Sequence, residues 1–168
     1  RSPSRGLGDV YKRQVVAAAV VLGKSLPIGL QDSKQTTEKQ RNLLFEDILG
    51  TAEAVGIGIA SVEEIETLNI LQATLVAMER AVDDLPVYPR SVLVDGKHCP
   101  SVRCLATTIV GGDVCVPAIS AASIVAKVTR DRIMLVIDEL YPEYGFSKHK
   151  GYPTTAHLEA VSYTHLRA

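Results

Sequence analysis

The feature that most constrains the fold is an uninterrupted run of valine, alanine and leucine at residues 15–22. Such a run is typical of a strand buried on both faces of a sheet. Further strand-like runs occupy Ala54–Ala60, Ser91–Asp95 (short and buried by its composition) and residues 105–110, and helical segments separate them. The alternation predicts one α/β domain with helices packed on a central sheet.

The helical segments carry local start and stop signals. Thr36 or Thr37 caps the first helix, and Gly50 is expected to end it. Ser61 and Glu64 form a capping box that opens the second. Asn69 begins a third. The apolar stripes expected to face the core are Leu43, Leu44, Ile48 and Leu49 in the first helix, and Leu71, Leu75 and Met78 in the third.

Composition excludes several classes of protein. A chain that is 46% apolar and 22% charged can bury a core and is not a disordered protein. Its net charge of −1 argues against a protein that coats DNA by charge alone. The longest apolar run is too short to span a bilayer, so no membrane partner is expected. Three irregularly spaced cysteines form neither a disulfide framework nor a paired zinc motif, which favours a reducing, cytoplasmic setting.

The two ends of the chain do not fit the pattern between them. A DNA sequence coding for residues 6–14 has a reverse complement that codes for residues 161–168, and it is similar to a transposase adaptor used in sequencing. We therefore expect a natural domain at 15–160 and non-native ends at 1–14 and 161–168. The alternative is a pair of unusual but genuine termini.

Two acids stand at the ends of apolar strands, each beside glycine. Asp95 ends the run Ser91–Asp95, and Asp113 follows Gly111 and Gly112 after the next run. Ligands of α/β sheets bind beyond strand ends, and paired carboxylates suit hard cations such as Mg²⁺ or Mn²⁺. The alternative is that each acid is only a turn residue, because Asp-Gly and Gly-Asp are typical turn pairs.

A second group of candidates is basic or hydroxylic. A long helix is predicted over residues 120–140, so Ser120 and Ser123 would lie at its start, where amide groups attract phosphate. Lys127 lies one turn further. The remaining candidates are Lys34, the basic loop Lys148, His149 and Lys150, and Tyr152, which could stack on a sugar or base. The alternative is a solvated helix face and a charged loop.

Three stretches of this chain closely resemble the ribonuclease HII family. They are VLVDG at 92–96, the segment from Gly111 to Asp131 containing PAISAASIVAKVTRD, and YPEYGFSKHKGYPT at 141–154. DSK at 32–34 and the segment from Gly58 to Met78 agree as well. The resemblance implies a ribonuclease H-like fold with a central mixed sheet flanked by helices. It also implies a cytoplasmic endonuclease, expected to be monomeric and to act in DNA repair.

The resemblance also assigns roles to residues. The family cuts the RNA strand of RNA–DNA hybrids and nicks 5′ to ribonucleotides in duplex DNA, using four carboxylates and divalent metal, Mn²⁺ or Mg²⁺. One ion would activate water and the other would stabilise the leaving 3′-oxygen. Asp95 and Asp113 match the third and fourth acids. Lys34, Ser120, Ser123 and Lys127 would hold phosphates, Lys150 would lie in the basic loop, and Tyr152 would pack against the deoxyribose.

The first two family acids have no counterpart here. They form an Asp-Glu pair in a D-E-x-G-R-G motif before the first apolar run, where this chain has Ser4 and Arg5. We therefore expect the first strand and the C-terminal helices of the family to be missing or replaced. The first apolar run would then have an unpaired edge. The chain as written is expected not to cleave, and the alternative is a non-catalytic nucleic-acid-binding α/β fragment.

Overall fold

The computed structural model describes residues 14–140, in which strands and helices alternate. In chain order they are β1 (Val15–Val21), a 3₁₀ helix (Leu30–Gln35), α1 (Glu38–Thr51), β2 (Ala54–Ala60), α2 (Val62–Leu68), α3 (Ile70–Asp83), β3 (Ser91–Asp95), β4 (Leu105–Ile109), α4 (Gly112–Cys115) and α5 (Pro117–Leu140). This order confirms the predicted α/β class. No helix in the described part of the chain is long and apolar enough to cross a membrane.

The strands form two separate pairs. β1 and β2 are antiparallel, with Val15 opposite Ala60, and β3 and β4 are parallel, with Asp95 opposite Ile109. The mixed strand directions confirm the prediction. Within residues 14–140, no ladder of hydrogen bonds joins the two pairs.

A cavity of about 970 Å³ lies between these two pairs. We call it the inter-sheet groove, and it is lined by β1, β3 and one face of α5. The groove explains why β1 is not buried on both faces as its composition predicts: Ala17 is buried and the other β1 side chains are half-buried. β3 likewise is not a buried strand, since only Val94 of its five residues is buried.

The main core lies between α1, β2 and α5. Phe45 and Ile48 of α1 pack with Ile57 of β2 and with Val125 and Val128 of α5. The predicted stripe on α1 is wrong at Leu43, which is 61% exposed. Phe45 is buried in its place, because it is Phe45 that faces α5 in the folded chain.

Local sequence signals predict the start of α1 correctly but not its end. Thr37 caps the helix as predicted, since its hydroxyl accepts from the Gln40 amide while the Gln40 side chain accepts from the Thr37 amide. The predicted stop at Gly50 is wrong, and the helix continues to Thr51. Its last turn is held by a hydrogen bond from the Ala52 amide to the Ile48 carbonyl.

A second, smaller core joins α3 to the β1–β2 pair through alanine. Ala73, Ala77 and Ala81 are buried, whereas the predicted core residue Leu71 is exposed. The cause is Gly58 of β2: a Cβ there would lie 1.9 Å from the Ala77 carbonyl oxygen. Because the helix backbone sits directly on the strand, only small side chains fit at this contact.

The capping box at the start of α2 is also part of an ion pair. Ser61 and Glu64 make the predicted reciprocal hydrogen bonds. The Glu64 carboxylate further accepts from both terminal nitrogens of the Arg80 guanidinium on α3, and Arg80 also donates to the Ile59 carbonyl at 2.7 Å. The pKa of Glu64 is lowered from 4.5 to about 2, mainly by its hydrogen bonds with Arg80 and further by its hydrogen bonds with Ser61. The Glu64–Arg80 ion pair therefore links α2 to α3, and the Arg80 hydrogen bond to Ile59 links both to β2.

We predict that Glu64→Gln removes an acid-sensitive part of the stability. Because folding lowers the pKa of Glu64, the pair stabilises fully above pH 4.5 and less and less as the pH falls toward 2. Glutamine can still accept from the Ser61 amide but carries no charge, so the variant should lose about 1 kcal/mol at neutral pH, allowing for solvent screening. The free energy of unfolding, measured with urea at a series of pH values, tests this prediction.

The matched control is Glu63→Gln, which changes an exposed neighbour on the same helix. It should leave the pH profile of stability unchanged. An equal flattening of the acid profile in both variants would show that the ion pair with Arg80 is not the cause.

Candidate active site at the ends of two parallel strands

The two candidate acids are brought together by the parallel pairing of β3 and β4. Asp95 is the last residue of β3, and Asp113 lies just after the end of β4. The register places Asp95 opposite Ile109, and the Gly96 amide donates to the Ile109 carbonyl at 3.1 Å. Both acids therefore lie at the carboxyl edge of one strand pair, where ligands of α/β sheets bind.

Asp95 is joined directly to the turn that carries Asp113. Its Oδ1 accepts a hydrogen bond from the Gly112 amide at 3.0 Å. Gly111 makes this turn possible, because its φ of +69° lies in the left-handed region that favours glycine. The Asp95 carboxylate is thus both exposed and held in place by the backbone.

Lys34 of the 3₁₀ helix contacts the second acid, Asp113. It lies in the last turn of the 3₁₀ helix, and its Nζ is 2.9 Å from Oδ2 of Asp113. The side chain of Lys34 is 60% exposed and that of Asp113 is 20% exposed. The Lys34 ammonium group therefore places a positive charge beside the Asp113 carboxylate.

The structure separates the two serines that were predicted together. α5 begins at Pro117 and not at residue 120, so neither serine lies at the helix start. Ser120 is 3% exposed, and its hydroxyl donates to the Leu30 carbonyl at 3.0 Å. Ser123 is exposed and lines the inter-sheet groove. This hydrogen bond joins α5 to the first residue of the 3₁₀ helix that carries Lys34.

Lys127 lies one turn beyond Ser123 on α5. It is half-exposed, and its Nζ pairs with Oδ1 of Asp131 at 3.2 Å. Asp131 is buried, with a side chain only 13% exposed, so this pair also provides a partner for a carboxylate inside the fold. The other two candidates, Lys150 and Tyr152, lie outside the described residues.

The two carboxylates are the type of ligand that a hard divalent cation prefers, but they are too few to complete its coordination shell. Carboxylate oxygens are the ligands that Mg²⁺ and Mn²⁺ prefer. Within residues 14–140, however, no group of three or more acidic, histidine or cysteine side chains could hold a metal ion. Asp95 and Asp113 can contribute ligands, and the rest of the coordination shell must come from water, substrate or other protein groups.

Sequence reasoning missed the contact between Ser120 and Leu30 and the extent of the inter-sheet groove. The groove reaches Asp95 at the end of β3 and Ser123 on α5, so it opens beside the candidate site. The expectation that the first apolar run has an unpaired edge indicated an opening beside that strand. No pattern within single segments shows that β3 lies across from that edge.

Sequence comparison finds a matching family model and similar proteins. The family model described as ribonuclease HII matches residues 6–165. A ribonuclease HII of Shewanella amazonensis is 55% identical over 149 residues, covering 88% of this chain and 72% of the relative. One from Polynucleobacter asymbioticus is 53% identical over 152 residues, covering 88% and 78% respectively.

Two solved structures share the fold at low sequence identity. The ribonuclease H2 of Pyrococcus horikoshii superposes with a TM-score of 0.61 and 23% identity, over 84% of this chain and 82% of that one. The ribonuclease HII in a complex with PCNA from Archaeoglobus fulgidus gives a TM-score of 0.53 and 20% identity, over 76% and 77%. The matched family model and the identity to these relatives show that the chain belongs to the ribonuclease HII family, whose members are ribonuclease H-type hydrolases acting on nucleic acids.

Proposed function

We propose that the intact protein cuts the RNA strand of RNA–DNA hybrids and nicks duplex DNA 5′ to embedded ribonucleotides. The observation that carries the proposal is the placement of Asp95 and Asp113 at one edge of the β3–β4 pair, linked through the Gly112 amide. Membership of the ribonuclease HII family supports the reaction class. We further propose a cytoplasmic, monomeric enzyme acting in DNA repair.

Asp95 and Asp113 are the residues that would hold the divalent cations, Mn²⁺ or Mg²⁺. When bound, such cations supply activation of water and stabilisation of the leaving 3′-oxygen. The exposed carboxylate of Asp95 is available without rearrangement. Lys34 lies 2.9 Å from Oδ2 of Asp113, and the second oxygen of that carboxylate would be available to a cation. The exposed ammonium group of Lys34 would also be available to a phosphate of the substrate.

The substrate backbone would lie along the exposed faces of the 3₁₀ helix and α5. Lys34, Ser123 and Lys127 offer charge and hydrogen bonds to phosphate oxygens there. Ser120 would act indirectly by holding the Leu30 carbonyl and therefore the helix that carries Lys34. Lys150 and Tyr152 are proposed from the family resemblance, Tyr152 as the residue that packs on the deoxyribose.

A second candidate function is binding without cleavage. It is favoured for the chain as written, because Ser4 and Arg5 stand where the family has its Asp-Glu pair. With two acids in place of four, cations would be held largely by water and their geometry would be poorly set. We therefore propose that this polypeptide binds hybrid duplexes weakly and does not cut them.

The test is to incubate the purified chain with Mn²⁺ or Mg²⁺ and a duplex that carries one ribonucleotide. We predict no cleavage above background on a sequencing gel, together with salt-sensitive binding in fluorescence anisotropy. A nick 5′ to the ribonucleotide that disappears in Asp95→Asn would contradict this. It would show that another group replaces the lost pair.

A further inference from the structure

β2 is an edge strand in the described part of the chain. It pairs with β1 along one side, and within residues 14–140 no strand pairs with its other side. Every second residue of an antiparallel strand directs its backbone amide and carbonyl away from the partner strand. Such groups on an open edge can form hydrogen bonds with the edge strand of another molecule, so natural sheets protect their edges.

The sequence of β2 contains none of the features that usually protect an edge. Its seven residues, AVGIGIA, include no charged side chain and no proline. Its register with β1 is continuous from Ala54 to Ala60, so no bulge bends the edge away. Uncharged segments with valine and isoleucine at alternate positions are typical of strands that self-associate when exposed. Protection of this edge must therefore come from another element.

Two charged side chains of α3 bind the outer side of β2. The Asp84 carboxylate, at the C-cap of α3, accepts a hydrogen bond from the Ile57 amide at 2.9 Å. The Arg80 guanidinium donates a hydrogen bond to the Ile59 carbonyl at 2.7 Å. Ile57 and Ile59 are separated by one residue, so their backbone groups point to the same side of the strand. We call Arg80 and Asp84 the edge caps.

The spacing of the edge caps matches the spacing of the backbone groups that they bind. Arg80 and Asp84 lie about 6 Å apart along the helix axis, from the rise of an α-helix. Ile57 and Ile59 lie about 6.6 Å apart along the strand. Gly58 brings the two elements close enough, because the α3 backbone rests directly on the strand where this residue has no side chain.

The position of Asp84 is electrostatically unfavourable for α3 itself. A carboxylate at the C-terminus of a helix is repelled by the partial negative charge of the last carbonyl groups. The hydrogen bond from the Ile57 amide offsets this repulsion and gives the acid a role outside the helix. The other cap, Arg80, is held in place by its ion pair with Glu64 of α2.

We propose that the edge caps keep the domain from dimerising through β2, and that β2 becomes a self-association surface when they are removed. Two uncapped copies of β2 can pair antiparallel about a two-fold axis at Ile57, with Val55 of each copy opposite Ile59 of the other. This arrangement forms about six hydrogen bonds and uses the same edge of both copies. The inference does not rest on the proposed nuclease function, since self-association is measured without nucleic acid.

The test compares the unsubstituted chain with the double variant Arg80→Ala/Asp84→Ala in sedimentation velocity. Between about 5 and about 200 µM, we expect the apparent mass of the variant to rise reversibly by about twofold relative to the unsubstituted chain. Amide hydrogen exchange at Ile57 and Ile59 should slow by about tenfold or more as the dimer forms.

Single variants provide the matched controls. Asp83→Ala removes the same charge from the same end of α3, and Asp84→Asn keeps a side-chain oxygen that accepts from the Ile57 amide. Both should behave as the unsubstituted chain. Asp84→Ala alone leaves the ion pair of Arg80 with Glu64 intact, and it should dimerise at higher concentration than the double variant. It carries the test if the double variant loses its native circular dichroism spectrum.

The proposal fails on any of three results. Folded Asp84→Ala and double variants that stay monomeric at the highest concentration would show that the edge caps do not prevent pairing. Association without slowed exchange at Ile57 and Ile59 would place the contact elsewhere on the domain. Equal association by Asp83→Ala or Asp84→Asn would assign the effect to lost negative charge and not to the lost hydrogen bond.

Discussion

Gly58→Ala should destabilise the domain by about 3 kcal/mol or more, measured by urea unfolding. The added Cβ would lie 1.9 Å from the Ala77 carbonyl oxygen and 2.4 Å from the Ala81 amide nitrogen. Both are backbone atoms of α3, so no side-chain rotation relieves the overlap. Overpacking of a core costs about 1–3 kcal/mol where side chains can adjust, and a rigid helix backbone should put this site at the upper end or above.

The matched control is Gly50→Ala on α1. No atom lies within 4 Å of the position its Cβ would take, and the residue is helical. Alanine should therefore stabilise the domain by about 0.5–1 kcal/mol through its better helix propensity. The same substitution thus has opposite signs at two glycines. A loss at Gly58 no larger than the change at Gly50 would mean that α3 does not rest on β2 as closely as described.

Asp95→Asn should reduce cleavage at least about a hundredfold in a chimera that restores the family acids. In this chimera, residues 1–14 are replaced by the N-terminal segment of the Shewanella amazonensis relative. Loss of a group that merely supports a metal ligand costs about ten- to a hundredfold, so loss of a ligand should cost at least the larger figure. Single-turnover cleavage of a duplex carrying one ribonucleotide measures it.

Asparagine is the informative replacement because it separates the two possible roles of Asp95. Its side-chain oxygen can still accept from the Gly112 amide, so the turn is preserved while the negative charge is lost. Asp47→Asn, at an exposed acid on α1, is the control and should leave the rate unchanged. Near-normal cleavage by Asp95→Asn would return Asp95 to the role of a turn residue.

The sequence by itself determined the local elements of this protein. The strands Ala54–Ala60 and Ser91–Asp95 have the predicted bounds. Thr37 and the Ser61–Glu64 box start the helices where their spacing places them. These features depend on hydrogen bonds and side-chain patterns within a few residues of the chain, so they can be read without knowing the rest of the fold.

For the candidate site, the sequence supplied the acids but not their surroundings. Asp95 and Asp113 were identified because both follow apolar strands and adjoin glycine. The contact of Lys34 with Asp113 joins residues far apart in the chain, and so does that of Ser120 with Leu30. Such contacts depend on how the 3₁₀ helix packs against α4 and α5, which no local pattern specifies.

Tertiary structure alone decided which faces are buried and where the sheet divides. The apolar pattern of α3 favours Leu71, yet Ala77 and its alanine neighbours face the core because Gly58 lets the helix backbone touch the strand. The composition of β1 favours a strand buried on both faces, yet its outer edge lines a groove. Burial depends on which elements meet and how closely, and that is a property of the packed chain and not of any single segment.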